Sequence, residues 1–537
     1  MTGPARPDEA RSLSLSLVSH TNVGKTTLAR TLLGRDIGEV RDQAHVTEAA
    51  EPHSLIETPG GERLLLWDTP GFGDSQRLLG RLQAAGSPWG WLLSQVWDRW
   101  RDRAFWASQQ AIRHVMAQTD VALYLVNAAE APEDAGYLAP ELQLLAWLGK
   151  PVLVLLNQLG SPGAPADEAL QVQRWRQHLT TWPVVQAVLP LDAFTRCWLQ
   201  EAVLLRAVAQ ALPAADQPLL ARLQARWALR QQATWQAATG LLAQRLLRAA
   251  LDREGLPDAG WQAPLRGWAQ ALAQALGQRL GWASDAGNSP QDQALAALAS
   301  RLDQDLRAST DALIRLHGLQ GRAGTELLAR MAGYFARREP VSEGRAAIWG
   351  GLVTGALAGL KADLVSGGLT MGGGLLAGGV LGALGAAGAA RGVNKIRGLG
   401  PPQLAWQDSV LQALLRSALL GYLAVAHHGR GRGAWQQDDP PPAWIDAVDK
   451  VLASQRTEWQ ALWAQRAAWL AAPPQASLSA PPGFNTALQH LLGQASTAVL
   501  ALLYPDAAAL LGLAGWPAAA ALDDAGAAGA GPSPPAA

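Results

Sequence analysis

The chain has 537 residues, 44 Lys+Arg against 44 Asp+Glu, a formal net charge of +0 and one cysteine. That length implies more than one domain. The charge balance argues against a nucleic-acid partner, and the lone Cys197 rules out a disulfide framework and reads as a buried packing thiol in a reducing compartment.

Met1 to Arg11 contains no apolar run, so residues 1–11 are expected to be a disordered N-terminus, not a signal peptide, and the chain is expected in the cytoplasm. The apolar strand Leu13–Val18 then leads into Ser19-His20-Thr21-Asn22-Val23-Gly24-Lys25-Thr26-Thr27, and Thr26 to Leu33 has a helical pattern. A loop at such a junction turns backbone N–H groups and a helix N-terminus toward an anion. Lys25 has the length to reach terminal phosphates, and the Thr26 hydroxyl suits Mg²⁺. Ser19 stands where the usual Gly-x-x-x-x-Gly-Lys-Ser/Thr loop has its first glycine, which costs the turn some freedom. The run predicts a nucleoside triphosphate site lined by Ser19, Asn22, Val23, Gly24, Lys25, Thr26 and Thr27.

Thr47 is the single threonine between Gly34 and Glu57 and lies in the polar, aperiodic stretch Asp36–Glu51. A mobile loop of that kind carries the threonine that closes over Mg²⁺ and the γ-phosphate. His53–Glu57 and Arg63–Trp67 read as strands joined by Thr58-Pro59-Gly60-Gly61, a hairpin signal. The second strand ends in Asp68-Thr69-Pro70-Gly71, where the aspartate suits water-mediated Mg²⁺ binding and the glycine amide suits sensing of the γ-phosphate. Lys25, Thr47 and Gly71 are thus expected around the reacting phosphate, with Thr26, Thr47 and Asp68 around the metal.

Between Asp74 and Asp120 a long helical segment holds Trp89, Trp91, Trp97, Trp100 and Trp106. It is either packed internally or exposed to a partner. Strands Val121–Val126, Pro151–Leu156 and Val184–Val188 alternate with helical stretches, which predicts a mostly parallel, six-stranded sheet covered on both faces, over residues 12–210. From Leu212 alanine, leucine, glutamine and arginine dominate and strand signals vanish, so residues 211–345 and 392–516 read as a large all-α domain. His427 and His428 lack further ligands at metal spacing. Residues 517–537 form an Ala/Gly/Pro tail expected to be disordered.

Residues 346–391 interrupt the helical part with a Gly-rich apolar hairpin. Gly351, Gly355 and Gly359, and again Gly374, Gly378 and Gly382, are four apart and share a helix face. Leu364–Ala390 has no charged residue and exceeds the roughly 20 residues that span a bilayer. Two readings stand: insertion into or docking on a membrane with both ends in the cytosol, or burial inside the helical domain.

Asn22-Val23-Gly24-Lys25-Thr26 together with Asp68-Thr69-Pro70-Gly71-Phe72 resembles the Era/TrmE/EngA branch of TRAFAC-class GTPases. The wider layout is similar to bacterial members whose C-terminal helical domain has no assigned function. The resemblance covers Leu13 to Gly160. It implies an α/β P-loop GTPase domain, GTP and GDP with Mg²⁺ as ligands, and, through Asn22, a K⁺ ion. Phe72 replaces the water-orienting glutamine of Ras-like proteins, so slow hydrolysis is expected. The guanine-reading motif, Asn-Lys-x-Asp, is here Asn157-Gln158-Leu159-Gly160; only Asn157 is kept, and Pro190-Leu191-Asp192 takes the place of the last family motif.

The resemblance and the hairpin together predict a slow GTPase switching a helical output domain at the inner membrane. The expected partners are a membrane or membrane protein, a nucleotide-dependent second copy, and no nucleic acid. The alternatives are a nucleotide-binding scaffold with little turnover and a dynamin-like membrane remodeller.

Overall fold

The computed structural model describes residues 11–34, 50–84, 103–159, 165–193, 197–255, 290–319, 393–396, 403–429, 441–471, 481 and 483–511. Thr47, Gly160, four tryptophans of the Asp74–Asp120 segment (Trp89, Trp91, Trp97 and Trp100), the Gly-rich stretch Ala346–Arg391 and the Ala/Gly/Pro tail lie outside them. The chain divides into two compact units, the first comprising Met1–Gln232, Ala426–Gln436 and Tyr504–Leu511.

The first unit is built on a six-stranded sheet in the order β2-β3-β1-β4-β5-β6. The strands are β1 (Ser12–Ser19), β2 (Glu51–Glu57), β3 (Arg63–Asp68), β4 (Val121–Asn127), β5 (Val152–Asn157) and β6 (Val185–Pro190). All pairings are parallel except β2 with β3, the expected hairpin, where Glu57 faces Arg63 and Thr58 N–H bonds the Glu62 carbonyl at 2.9 Å. Every residue of β5 is buried and β1 is buried beyond its first residue. Helices on both faces require this, because a parallel sheet is reached only by crossovers that cover it.

The covering helices are α1 (Lys25–Leu33), α2 (Ser75–Ala84), α3 (Arg103–Gln118), α4 (Leu138–Leu148), α5 (Pro165–Leu179) and α6 (Trp198–Ala211). Helix α1 starts where Gly24 turns into left-handed backbone, φ 94°, and stops at Gly34, φ 65°, whose N–H bonds back to Thr31. Cys197 is buried just before α6, as a packing thiol would be.

The second unit is mostly helical. It holds the C-terminal part of α7 (Gln217–Leu251), then α8 (Pro290–Leu316), α9 (Asp408–Ala426), α10 (Pro442–Ser454), α11 (Arg456–Ala471) and α12 (Phe484–Leu503). Helix α13 (Pro505–Leu511) returns to the first unit. Trp459 and Trp463 are buried and stacked with ring centroids 5.8 Å apart, so they are core residues as their spacing suggested. Arg466 is also buried, its guanidinium held by the Ala250 and Trp406 carbonyls and the Asp408 carboxylate. Strands do occur beyond Leu212: β7 (Arg253–Gly255), β8 (Val393–Ile396) and β9 (Gln403–Trp406) form an antiparallel sheet in the order β7-β9-β8. Strands of three or four residues are too short to show a period of two. Among the described residues no helix is long and apolar enough to cross a membrane.

Candidate functional site

The loop Ser19–Lys25 joins β1 to α1 at the C-terminal edge of the parallel strands, where ligands of open α/β sheets bind. Two of its residues have positive φ: Gly24, and Asn22 at 65°. Asparagine tolerates that conformation better than most side chains. The Gly24 carbonyl accepts the Leu28 N–H at 2.9 Å, the first helical bond, and no side chain caps the N-terminus of α1. The N-terminus of α1, the positive end of the helix dipole, thus faces the loop.

Lys25 is buried, and its Nζ donates to Ser19 Oγ at 2.9 Å. Burial pulls its pKa below the usual lysine value, while the charges of Asp68 and Glu141 act in the opposite direction. Thr26 Oγ1 donates to Asp68 Oδ2 at 2.6 Å. Asp68 is 4% exposed, and its other oxygen, Oδ1, is buried without a hydrogen-bond partner. Burial raises the Asp68 pKa, and the Thr26 hydrogen bond lowers it. An orphaned, buried carboxylate oxygen beside a threonine hydroxyl is the donor set that fits a hard divalent cation. Gly71 lies close by: a Cβ there would come within 2.9 Å of Lys25 Nζ and 3.2 Å of Thr21 Cα. Ser19, Lys25, Thr26, Asp68 and Gly71 are thus brought together, with Val23 and Thr27 in the same turn.

Phe72 has no exposed surface. Its N–H donates to the Ser19 carbonyl at 2.9 Å, and its carbonyl accepts the Thr21 N–H at 3.3 Å, so the chain after β3 pairs with the phosphate loop as a short strand would.

At the other end of the sheet edge, Asn157 finishes β5 with no exposed surface. Its Nδ2 donates to the Val23 carbonyl at 2.7 Å, and its Oδ1 accepts the Ala193 N–H at 2.9 Å. It therefore ties the phosphate loop to the segment after β6. Gln158 follows in left-handed backbone, φ 59°. The Leu159 N–H donates to Asp192 Oδ2 at 2.9 Å.

Two further contacts at the site have no signature in the sequence. His20 Nδ1 lies 2.8 Å from Glu141 Oε1, and the His20 ring stacks on Tyr137. Glu141, on α4, is fully buried and accepts the Tyr124 hydroxyl at 2.7 Å; burial raises its pKa and the His20 hydrogen bond lowers it. Ser108 Oγ, on α3, accepts the Gly73 and Asp74 N–H groups at 2.9 and 3.2 Å. Partners 121 and 35 residues apart leave no local signature.

Residues 14–158 match a family model described as 50S ribosome-binding GTPase. The mitochondrial GTPase Era of Danio rerio is 37% identical over 72 residues, 13% of this chain and 16% of that protein. GTPase Era of Heliobacterium modesticaldum is 22% identical over 186 residues, 35% of this chain and 51% of that protein. The chain thus spans about half or less of the curated relatives it matches. Among solved structures, Aquifex aeolicus Era bound to GDP and AlF4⁻ is 15% identical, with 56% of this chain and 89% of that chain covered and a TM-score of 0.29. Era in complex with MgGDPNP and nucleotides 1506–1542 of 16S ribosomal RNA gives the same identity and coverage and a TM-score of 0.28.

These similarities overturn the partner expectation. The matching family is described by the 50S ribosome, an RNA-containing particle, so the expectation of no nucleic acid does not stand, and the membrane or membrane-protein partner has no support in that description. Net charge averages over the whole chain, whereas an RNA contact needs only a local patch.

Proposed function

We propose, from the premise that residues 14–158 form a GTP-binding GTPase domain of the Era type, that this chain binds GTP and GDP with Mg²⁺, hydrolyses GTP slowly and uses the bound state to switch its helical part. The observation that carries this reading is the buried pair of contacts at the start of α1: Lys25 on Ser19, and Thr26 on an Asp68 whose second oxygen has no partner.

In this reading Lys25 exchanges its Ser19 bond for a phosphate oxygen, and the amides of Asn22 to Thr27 hold the rest of the phosphate chain. Thr26 and Asp68 hold Mg²⁺, which when bound neutralises charge on the phosphate oxygens. Thr47 is proposed as the third group at the metal and γ-phosphate, and Asn22 as the K⁺ ligand. Any side chain at position 71 would press on Lys25 Nζ, so glycine there keeps room for a γ-phosphate beside its amide. Phe72 neither reaches solvent nor offers a hydrogen bond to water. Turnover therefore waits on a cation, a backbone group or a partner to orient the nucleophile.

The test is nucleotide binding by calorimetry with Mg²⁺, on the wild type and Lys25→Ala. Wild type should bind GDP and GTP; a variant that binds and hydrolyses GTP equally well overturns the site. Turnover with and without K⁺ then decides between a slow GTPase and a scaffold with little turnover, the reading favoured by the buried Phe72.

The ribosome named in the matching family's description is the proposed class of partner. Co-sedimentation with ribosomal subunits in GTP, in GDP and without nucleotide tests it; no pelleting in any state sinks it.

A further inference from the structure

We infer that Asp192 is the carboxylate that reads the guanine base, taking over from the aspartate that the degenerate motif has lost. The inference rests on the guanine-nucleotide site proposed above. Guanine presents two N–H donors, N1 and N2, on one edge. Leaving them unpaired in a closed site forfeits their hydration, and one carboxylate accepts both in a bidentate pair. In the motif tetrapeptide that acceptor is absent from the sequence, because Gly160 has no side chain.

The structure brings a carboxylate to the same tetrapeptide from another strand. Asp192, 4% exposed, follows β6, and its Oδ2 accepts the N–H of Leu159, the motif's third residue. Its backbone is fixed on both sides. The Leu191 N–H donates to the Leu156 carbonyl at 3.0 Å, the Ala193 N–H to Asn157 Oδ1 at 2.9 Å, and Thr31 Oγ1 donates to the Ala193 carbonyl at 2.8 Å. Asn157 also holds the Val23 carbonyl of the phosphate loop at 2.7 Å, so Asp192 sits in register with the phosphate end. A second acid, Glu168 on α5, lies near enough that Asp192 raises its pKa, after burial, which raises it most. Glu168 therefore serves as the control for a purely electrostatic effect.

The experiment measures Kd for GDP, ADP and XDP with Mg²⁺ on the full chain. Wild type should prefer GDP. Asp192→Asn replaces an acceptor by a donor, which matches the 2-oxo group of xanthine. GDP should weaken by about 100-fold while XDP strengthens until it binds better than GDP. Asp192→Ser keeps an acceptor for the Leu159 N–H but removes the carboxylate; it should lose the GDP preference without gaining XDP. Adding Gly160→Asp to Asp192→Ser should restore GDP, and Glu168→Gln should leave all three ligands as in wild type.

Wild-type affinities in both Asp192 variants, or equal GDP and ADP binding in wild type, overturn the inference and leave the phosphate site standing. No nucleotide bound by wild type overturns the site itself. Should Asp192→Asn melt too low to measure, the serine variant with and without Gly160→Asp decides: rescue supports the assignment and no rescue rejects it.

Discussion

The proposed phosphate end and the proposed base end of the site are built in opposite ways. The phosphate end is made of nine consecutive residues, Ser19 to Thr27, whose geometry follows from a positive-φ glycine, a helix start and a buried lysine. The segments proposed to form the base end come from the tips of β5 and β6, more than 30 residues apart, and are joined through Asn157, Leu159, Asp192 and Ala193. A contiguous loop keeps its chemistry only while its residue types are kept. An assembled pocket can lose one carboxylate and find another on a neighbouring strand. Asn157 is the joint between the two, since its single amide bonds Val23 at one end and Ala193 at the other.

The largest effect is expected at Lys25. Lys25→Ala should weaken GDP and GTP by about 100-fold, ~2.7 kcal/mol, with no change in the ratio of GDP to ADP affinity. A changed ratio in calorimetric titration would show that the two ends are not separable. Asn157→Ala comes next, because it removes the joint. Two buried hydrogen bonds disappear and leave the Val23 carbonyl and Ala193 N–H unpaired, so stability should fall by about 2 kcal/mol in chemical denaturation, and selectivity should fall with it. A stability loss with selectivity intact would mean that the joint is only structural.

His114, on α3, packs against β1 and β3 and tests the sheet rather than either end. It packs on Trp67, its Nε2 lies 3.0 Å from Ser16 Oγ on β1, and burial lowers its pKa from 6.5 to about 4. The folded state thus keeps a neutral ring where the unfolded chain takes a proton. Its stability contribution is whole above pH 6.5 and is lost as the pH falls toward 4. Allowing for solvent around a half-buried ring, the loss is about 1–2 kcal/mol. Thermal melts between those pH values should show it, His114→Gln should flatten it, and nucleotide selectivity should not respond.

The smallest effect is expected at Asp68. Its folded pKa lies above the unfolded value, so protonation favours the fold and ionisation at neutral pH costs stability. Asp68→Asn should therefore raise the melting temperature of the nucleotide-free protein, by about 1 kcal/mol of stability, while abolishing the dependence of GTP binding on Mg²⁺. A lower melting temperature would show that the carboxylate is structural.

Legibility in the sequence followed locality. Six apolar runs bounded by turn residues or motifs became the six strands of the first sheet, and Thr58-Pro59-Gly60-Gly61 became its one hairpin. The phosphate loop was readable because all its parts are adjacent. The proposed base end was readable only as a deficit at Gln158 and Gly160, because the carboxylate proposed to answer it follows a different strand. Glu141, Tyr124 and Ser108 were silent for the same reason, and β7, β8 and β9 because strands of three or four residues carry no pattern.

The backbone stitching of Phe72 to Ser19 and Thr21 fixes where a nucleotide signal must leave the site. Up to Phe72 the segment is tied to the phosphate loop by backbone hydrogen bonds. Just beyond it the amides of Gly73 and Asp74 both donate to one hydroxyl, Ser108, on α3. That hydroxyl acts as a latch. Amide hydrogen exchange at 73 and 74 should differ between the GTP and GDP states; equal exchange in both would sink this reading.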